Sequence, residues 1–131
     1  MGLGRARRYV ETEEQCKLVA WFDIQYPGYK ALLHFTGGGL NLSIQEAARF
    51  KRMGYRAGTP DLSLYLRTRQ YGGLCLELKT LIGPVSAAQR DMIALLNAEG
   101  YRAVICRGFD EAREELTAYI NLYLERVGNP E

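Results

Sequence analysis

The stretch Gly58-Thr59-Pro60-Asp61-Leu62, followed by Leu76-Glu77-Leu78-Lys79, decides the predicted fold. Residues 61–66 and 74–79 both alternate with a period of two, as half-buried strands do. The residues between them, 67–73, are polar and end in two glycines, which is typical of a turn. We therefore predict a β-hairpin that begins at Pro60, because proline is tolerated at the first residue of a strand but not in a central ladder.

The register of this hairpin depends on where its turn is centred. If the turn centres near Arg69, Asp61 lies opposite Glu77, and their Cβ atoms are roughly 4.5–5.5 Å apart. Successive side chains of a strand point to opposite faces, so Lys79 shares the face of the two acids. The other face is predicted to pack on helices and carries Leu62, Leu64, Leu66, Leu74, Leu76 and Leu78. A slip by one residue would break the acidic pairing, and the turn is long enough to allow it.

Two carboxylates at this distance repel each other unless a cation lies between them or one of them is protonated. Two acids, together with water or phosphate oxygens, form a ligand set that suits Mg²⁺ or Mn²⁺. A neighbouring lysine could orient or deprotonate a water molecule, or balance the charge of a phosphate. The alternative is an ordinary salt bridge at the surface, because a lone Glu-x-Lys motif often occurs by chance.

The composition limits the class of protein. A chain of 131 residues with 47% hydrophobic and 24% charged residues is typical of one soluble globular domain. Its net charge of +2 gives little indication of a nucleic-acid partner. The three cysteines are widely spaced and odd in number, so we expect reduced thiols, not disulfides or a zinc site. No apolar run approaches the ~18 residues that span a membrane and no signal peptide is visible, so we expect a cytoplasmic protein with no membrane partner.

Apolar periodicity and capping signals predict the remaining elements. A basic arm over residues 1–10 precedes a helix over 11–25, and a short strand covers 29–35. Two capping boxes, at Ser43 and Ser86, open helices over 44–53 and to about residue 98. A buried strand over 102–107 leads to a last helix that Asp110 caps and that ends near residue 126. The order αβαββαβα over a domain at 11–127 predicts an α/β fold with a mixed β-sheet flanked by helices.

Two further segments are candidates for contact with nucleic acid. A basic cluster leads directly into Asp61, and we interpret it as a phosphate-binding segment, with solvated surface charge as the alternative. Its members are Arg49, Lys51, Arg52 and Arg56. The glycine-rich residues 36–39 would let the backbone approach a DNA strand, or would form a plain flexible turn.

Pro60-Asp61 followed by Glu77-Leu78-Lys79 resembles the PD-(D/E)xK nuclease motif. The run over residues 48–62, Ala-Arg-Phe-Lys-Arg-Met-Gly-Tyr-Arg-Ala-Gly-Thr-Pro-Asp-Leu, is more specific. It resembles the VRR-NUC domain (virus-type replication-repair nuclease), and its stand-alone phage and bacterial members in particular. The resemblance extends from about residue 11 to residue 123. It implies a restriction-endonuclease-like fold and a metal-dependent deoxyribonuclease in a bacterial or phage-infected cell.

The resemblance also implies roles for individual residues. Asp61 and Glu77 would bind Mg²⁺ or Mn²⁺, the carbonyl of Leu78 would add a ligand, and Lys79 would orient the attacking water. Gln89 would help to place phosphate or water. Because Gln89 also belongs to the capping box at Ser86, we expect these two roles to exclude each other.

In the first helix, the resemblance implies that Glu11 and Gln15 border the metal site, with Glu11 as a further ligand. Glu14 is the fallback, because it also lies one turn from Leu18. The alternative for either acid is a simple interaction with the helix dipole. One metal ion and two metal ions both remain open.

The partners implied by the resemblance are branched DNA, such as four-way junctions in replication, recombination or repair, and a second copy of the chain. A symmetric junction presents two scissile strands to the two sites of a homodimer. Two alternatives remain open. One is a restriction-type or exonuclease activity on linear DNA, and the other is a DNA-binding module without catalysis.

Overall fold

A computed structural model of the chain describes residues 2–37 and 42–128. The elements in chain order are α1 (Gly2–Gln25), a 3-10 helix (Pro27–Leu32), β1 (Leu33–Phe35), α2 (Ile44–Arg52), β2 (Leu62–Leu64), β3 (Leu74–Lys79), α3 (Ala87–Ala98), β4 (Arg102–Arg107) and α4 (Phe109–Val127). Apart from the 3-10 helix, this order is the predicted αβαββαβα.

The strands form one mixed sheet in the order β1-β2-β3-β4. The β1–β2 and β2–β3 pairs are antiparallel, whereas β3 and β4 are parallel and are joined through α3. A parallel pair needs such a crossover, since a tight turn cannot return the chain to the same end of the sheet. The predicted α/β fold with a mixed sheet and flanking helices is therefore confirmed.

The predicted hairpin register is also confirmed, because Leu62 pairs with Leu76 and Leu64 with Leu74. All six predicted core leucines are at most 5% exposed. They pack against α1 and α4, whose buried side chains include Leu18, Phe22, Leu116, Tyr119 and Ile120. The hydroxyl of Tyr119 donates to the carbonyl of Leu66 over 2.7 Å, which satisfies the one polar atom that this core side chain brings inside.

Both predicted capping boxes are present. Ser43 and Glu46 exchange hydrogen bonds at the start of α2, and Ser86 and Gln89 do so at the start of α3. Each pair satisfies two backbone N–H groups that a helix start otherwise leaves without partners. The two helices therefore begin where the sequence predicted.

Two predicted elements at the N-terminal end of the chain were wrong in extent. Helix α1 starts at Gly2, so the segment interpreted as a basic arm is helical. It contains three arginines and one alanine, which are strong helix formers that apolar periodicity does not detect. Of the strand predicted over 29–35, only Leu33–Phe35 is extended. Pro27 opens a 3-10 helix instead, and the Tyr29 N–H donates to the carbonyl of Tyr26 over 2.9 Å.

The start of α4 also differs from the prediction. Its N-cap is Gly108, which has no side chain to donate or accept a hydrogen bond, and Asp110 lies inside the first turn. There the carboxylate still interacts favourably with the positive end of the helix dipole. No helix in the described part of the chain is long and apolar enough to cross a membrane.

Candidate active site

Asp61 and Glu77 meet on the face of the sheet opposite the leucine core. One carboxylate oxygen of Asp61, Oδ2, accepts the backbone N–H of Leu78 over 2.8 Å, which holds the side chain across the end of the β2–β3 ladder. Glu77 is only 4% exposed, and the neighbouring Asp61 carboxylate contributes to the raised pKa of Glu77. The structure thus brings together the two acids that the hairpin register placed side by side.

The position of Asp61 depends on close contact with the segment after β1. The carbonyl of Asp61 accepts the N–H groups of Thr36, over 2.9 Å, and of Gly37, over 3.2 Å. A Cβ atom on Gly37 would lie only 2.8 Å from the Cα atom of Asp61. Glycine is therefore needed at position 37 for the approach to Asp61. Gly38 and Gly39, which belong to the same predicted glycine-rich segment, lie outside the described residues.

A second glycine holds the same segment against α3. Gly58 has a φ of +85°, a conformation that side chains disfavour, and a Cβ atom there would lie 2.3 Å from the carbonyl oxygen of Ala88. Gly58 therefore allows the turn that precedes Asp61 to touch the first turn of α3. This contact is what sets Gln89, in that same turn, beside the acidic pair.

Gln89 takes part in both the capping box of α3 and the acidic site, which the sequence analysis treated as alternatives. Its Oε1 accepts the N–H of Ser86 over 3.0 Å, which completes the cap of α3. Its Nε2 donates to Oε2 of Glu77 over 2.9 Å. The expectation that capping and a place in the site exclude each other was wrong, because the two ends of one amide act independently.

Burial and neighbouring charge make the acidic pair hard to ionise. Burial, with a further contribution from the charge of Asp61, raises the pKa of Glu77 to about 8. Burial also raises the pKa of Asp61, against the opposing effect of the Leu78 N–H. The only opposing cation among these influences is Lys79, whose Nζ lies 4.0 Å from Oε2 of Glu77. Two acids with a single ammonium group beside them carry excess negative charge when both ionise, so the site favours an additional cation.

Helix α1 brings a third acid towards this pair. Glu11 lies on the stripe that continues to the fully buried Leu18 and Phe22, and its charge also raises the pKa of Glu77. Its Oε2 atom is buried and has no hydrogen-bond partner among the described residues. Gln15, one turn further along the helix, is partly buried. Glu14 lines a cavity with Glu11 and Lys79, but it does not contribute to the pKa shift of Glu77.

These donors fit a hard divalent cation. Asp61 and Glu77 offer carboxylate oxygens, and Glu11 offers a buried oxygen that lacks a partner. The N–H and C=O groups of a strand residue point to the same edge, so the Leu78 carbonyl faces the Asp61 side as its N–H does. No group of three or more histidine, cysteine or acidic side chains within the described ranges is arranged so that those side chains alone could hold a metal ion. The protein donors would therefore leave coordination positions for water or phosphate oxygens.

The four residues of the predicted phosphate-binding segment are exposed to solvent. Three of them lie in the last turn of α2, where they also interact favourably with the helix dipole. None of the four forms a salt bridge with a described acid. The chain runs from them to Asp61 through Thr59, whose hydroxyl donates to the carbonyl of Arg56 over 2.7 Å.

Sequence reasoning missed one arginine that shapes the border of the site. Nη1 of Arg107 donates to the carbonyls of Thr80, over 2.9 Å, Leu81, over 3.4 Å, and Gly83, over 2.7 Å. These residues form the loop that follows Lys79. Arg107 is the last residue of β4 and lies directly opposite Lys79 in the parallel pairing of β3 with β4. The sequence alone did not predict this register, so it did not indicate that Arg107 reaches the loop.

Comparison with known proteins agrees with this geometry. The VRR-NUC domain family model matches residues 7–110. A solved structure described as a VRR_NUC domain protein is 32% identical in sequence, with a TM-score of 0.76 over 86% of this chain and 89% of that chain. No curated protein matches the chain significantly.

Proposed function

The chain belongs to the VRR-NUC domain family, and on that premise we propose that it is a nuclease that hydrolyses phosphodiester bonds of branched DNA with Mg²⁺ or Mn²⁺. The observation that carries the proposal is the pair formed by the half-buried Asp61 and the buried Glu77, with Lys79 Nζ 4.0 Å from Glu77. In a protein that only binds DNA, two acids on the face that must approach phosphate would weaken binding whenever they ionise, because their charge repels phosphate.

The metal would be held by Asp61, Glu77, the carbonyl of Leu78 and Glu11. When bound, such an ion polarises the phosphate and lowers the pKa of an attacking water. Lys79 is the remaining cation of the site, and its ammonium group donates hydrogen bonds to the water or to a phosphate oxygen. It thereby stabilises the negative charge that grows in the transition state. Lys79 is therefore assigned as a catalytic residue.

The two glutamines would act on the acids around them. Gln89 fixes Oε2 of Glu77 through a 2.9 Å hydrogen bond, and the other oxygen of that carboxylate would then be available to hold the ion. Because Gln89 is itself held by the cap of α3, its amide is oriented before substrate binds. Gln15 lies one turn from Glu11 on α1 and would border the same site. Gln89 is accordingly a positioning residue, because it would act on the substrate only by orienting Glu77.

The DNA backbone would be bound by the basic segment that leads to Asp61, formed by Arg49, Lys51, Arg52 and Arg56. Contacts of lysine and arginine with phosphates fix the position of a duplex without reading its sequence. The segment immediately precedes Asp61 in the sequence, so a DNA backbone bound there would continue towards the acidic pair. This arrangement supports recognition of DNA structure over recognition of base sequence.

Branched DNA in replication, recombination or repair, with a homodimer as the active form, is the substrate class we propose. A two-fold pair of sites matches the two scissile strands of a symmetric four-way junction. The test compares cleavage of a labelled four-way junction, a linear duplex and a single strand in Mg²⁺, Mn²⁺ or EDTA. We expect metal-dependent cutting of the junction in preference to the other two.

Other results would change the proposal in defined ways. Cutting of linear DNA alone would keep the site and replace the substrate by that of a restriction-type enzyme or an exonuclease. Binding of DNA without cutting under any metal would identify a non-catalytic module. Sedimentation of the protein with and without the junction reports whether two copies assemble.

A further inference from the structure

A cavity of about 470 Å³ opens beside Lys79, between the N-terminal half of α1 and the loop that follows β3. Its walls include Val10 of α1 and Leu81 and Ile82 of the loop. Glu11 and Lys79, which flank the acidic pair, also line it. The cavity is therefore continuous with the proposed catalytic site.

The apolar wall of this cavity is largely exposed to solvent. Leu81 is 78% exposed and Ile82 is 89% exposed, although both side chains are large and aliphatic. They do not lie on a loose segment, because Nη1 of Arg107 binds three carbonyl oxygens of the same loop. A loop held in this way presents its two side chains in one place, as a binding surface requires.

The charge around the cavity restricts what can enter it. Glu11 and Glu14 line it together with the single cation Lys79, so the acids outnumber the ammonium group and disfavour a phosphate or another anion. The apolar wall favours a ligand with a flat hydrophobic surface, and carboxylates accept hydrogen bonds from N–H donors. A nucleobase with an exocyclic amino group has both features. DNA bound at the acidic pair would bring a neighbouring base close to the cavity, because Lys79 and Glu11 line the cavity and flank that pair.

We propose that this cavity receives an unstacked nucleobase of the nucleotide next to the scissile phosphate, with Ile82 and Leu81 against its ring and Glu14 beside its amino group. The inference rests on the proposed function, since it needs a DNA phosphate at Asp61 and Glu77. It would also explain why the nuclease selects branched DNA over a linear duplex. Bases inside a duplex are stacked and paired, whereas bases at a branch point or in a single strand are already available.

The test uses single-turnover cleavage of a four-way junction after the cut position has been mapped from the product lengths. A second junction carries an abasic nucleotide beside the scissile phosphate. Wild-type protein and the variants Ile82→Ser and Ile24→Ser are compared. Ile24 is the matched control, because it is 82% exposed and lies at the other end of α1.

We expect wild type and Ile24→Ser to cut the abasic junction about tenfold more slowly than the intact one, which corresponds to ~1.4 kcal/mol. Ile82→Ser should be about tenfold slower on the intact junction and should lose little more on the abasic one, because the two changes remove the same contact. An equal abasic penalty in wild type and Ile82→Ser would overturn the inference. So would an Ile82→Ser variant that cuts the intact junction like wild type.

A readout without catalysis separates this inference from the proposed function. A junction with 2-aminopurine at the branch is titrated with each protein in Ca²⁺, and its fluorescence reports how far the base is unstacked. An additional rise with wild type and Ile24→Ser, absent with Ile82→Ser at saturation, supports the cavity even if no DNA is cut. Equal fluorescence in all three complexes would contradict it. If Ile82→Ser instead converts a dimer to a monomer by light scattering, the wall is an interface between copies and the inference fails.

Discussion

Nε2 of Gln89 donates a hydrogen bond to Oε2 of Glu77 over 2.9 Å, so the first turn of α3 is tied directly to the acidic pair. The same side chain closes the cap of α3 through Ser86. Folding of the helix start and orientation of the Glu77 carboxylate are therefore coupled through one amide. Separating these two effects requires a variant that damages only the cap.

Gln89→Ala and Ser86→Ala form such a comparison. Each breaks the capping box, and we expect each to lower the free energy of unfolding by about 1 kcal/mol. Only Gln89→Ala also frees Glu77, so it alone should reduce cleavage, by roughly tenfold, and alter its pH profile. Urea unfolding and single-turnover cleavage measure the two effects. Equal loss of cleavage in both variants would show that Gln89 acts through the helix cap only.

The contact of Gly58 with α3 predicts a large cost for an added methyl group. Gly58 and Gly54 both have positive φ, at +85° and +108°, but only at Gly58 would a Cβ atom meet another residue. Gly54→Ala should lower the free energy of unfolding by about 1–2 kcal/mol, through backbone strain alone. Gly58→Ala should lower it by about 1–3 kcal/mol more, because the methyl group overlaps the backbone of Ala88. Chemical denaturation of the two variants in parallel measures the difference.

The raised pKa of Glu77 predicts how the stability of the metal-free protein depends on pH. Burial and Asp61 raise this pKa from its ordinary 4.5 to about 8 in the folded protein. Between these values the folded protein keeps a proton that the unfolded chain has released. The free energy of unfolding should therefore fall as the pH rises from about 4.5 to 8. Thermal unfolding in EDTA at several pH values measures it.

Glu77→Gln is the control for that pH dependence, because it keeps the shape of the side chain and cannot ionise. The variant should be more stable than wild type at pH 8 in EDTA, and its melting temperature should vary less with pH. Mg²⁺ should raise the melting temperature of wild type at pH 8 and leave that of Glu77→Gln little changed. A wild-type protein that becomes steadily more stable up to pH 8 in EDTA would contradict the assignment.

The basic segment predicts a salt-dependent effect on DNA affinity. Lys51→Ala should weaken binding to all DNA sequences alike and reduce the slope of log affinity against log salt by about 1. Lys30 is the matched control, because it precedes β1 at the end of the sheet away from Asp61. Fluorescence anisotropy at several salt concentrations measures both variants. A slope that changes equally in both would remove the segment from the DNA-binding surface.

Local signals in the sequence predicted much of this fold. The leucine alternation predicted the hairpin, since a half-buried strand tolerates only one face towards the core, and a turn centred near Arg69 gave its register. The two capping boxes located the starts of α2 and α3 because their chemistry lies within four residues. The acidic pair was predictable for the same reason, as the hairpin register alone brings Asp61 beside Glu77.

Features that depend on distant packing were not predictable. Gly37 and Gly58 matter because other segments approach them, and nothing within either stretch identifies that approach. Arg107 binds the loop after Lys79 only through the parallel pairing of β3 and β4, which a pattern of alternation does not specify. The double role of Gln89 likewise required the position of α3 relative to the sheet.

The most direct test of the central claim is cleavage of a labelled four-way junction by wild type, Asp61→Asn and Lys79→Ala, in Mg²⁺ and in EDTA, with circular dichroism to show that each variant is folded. Asp61→Asn keeps an oxygen that can accept the Leu78 N–H, so it removes charge with little loss of structure. We expect cutting by wild type in Mg²⁺ only, and a loss of roughly 100-fold or more in either folded variant. Cutting in EDTA, or undiminished cutting by folded Asp61→Asn, would contradict a metal-dependent site built on Asp61 and Glu77.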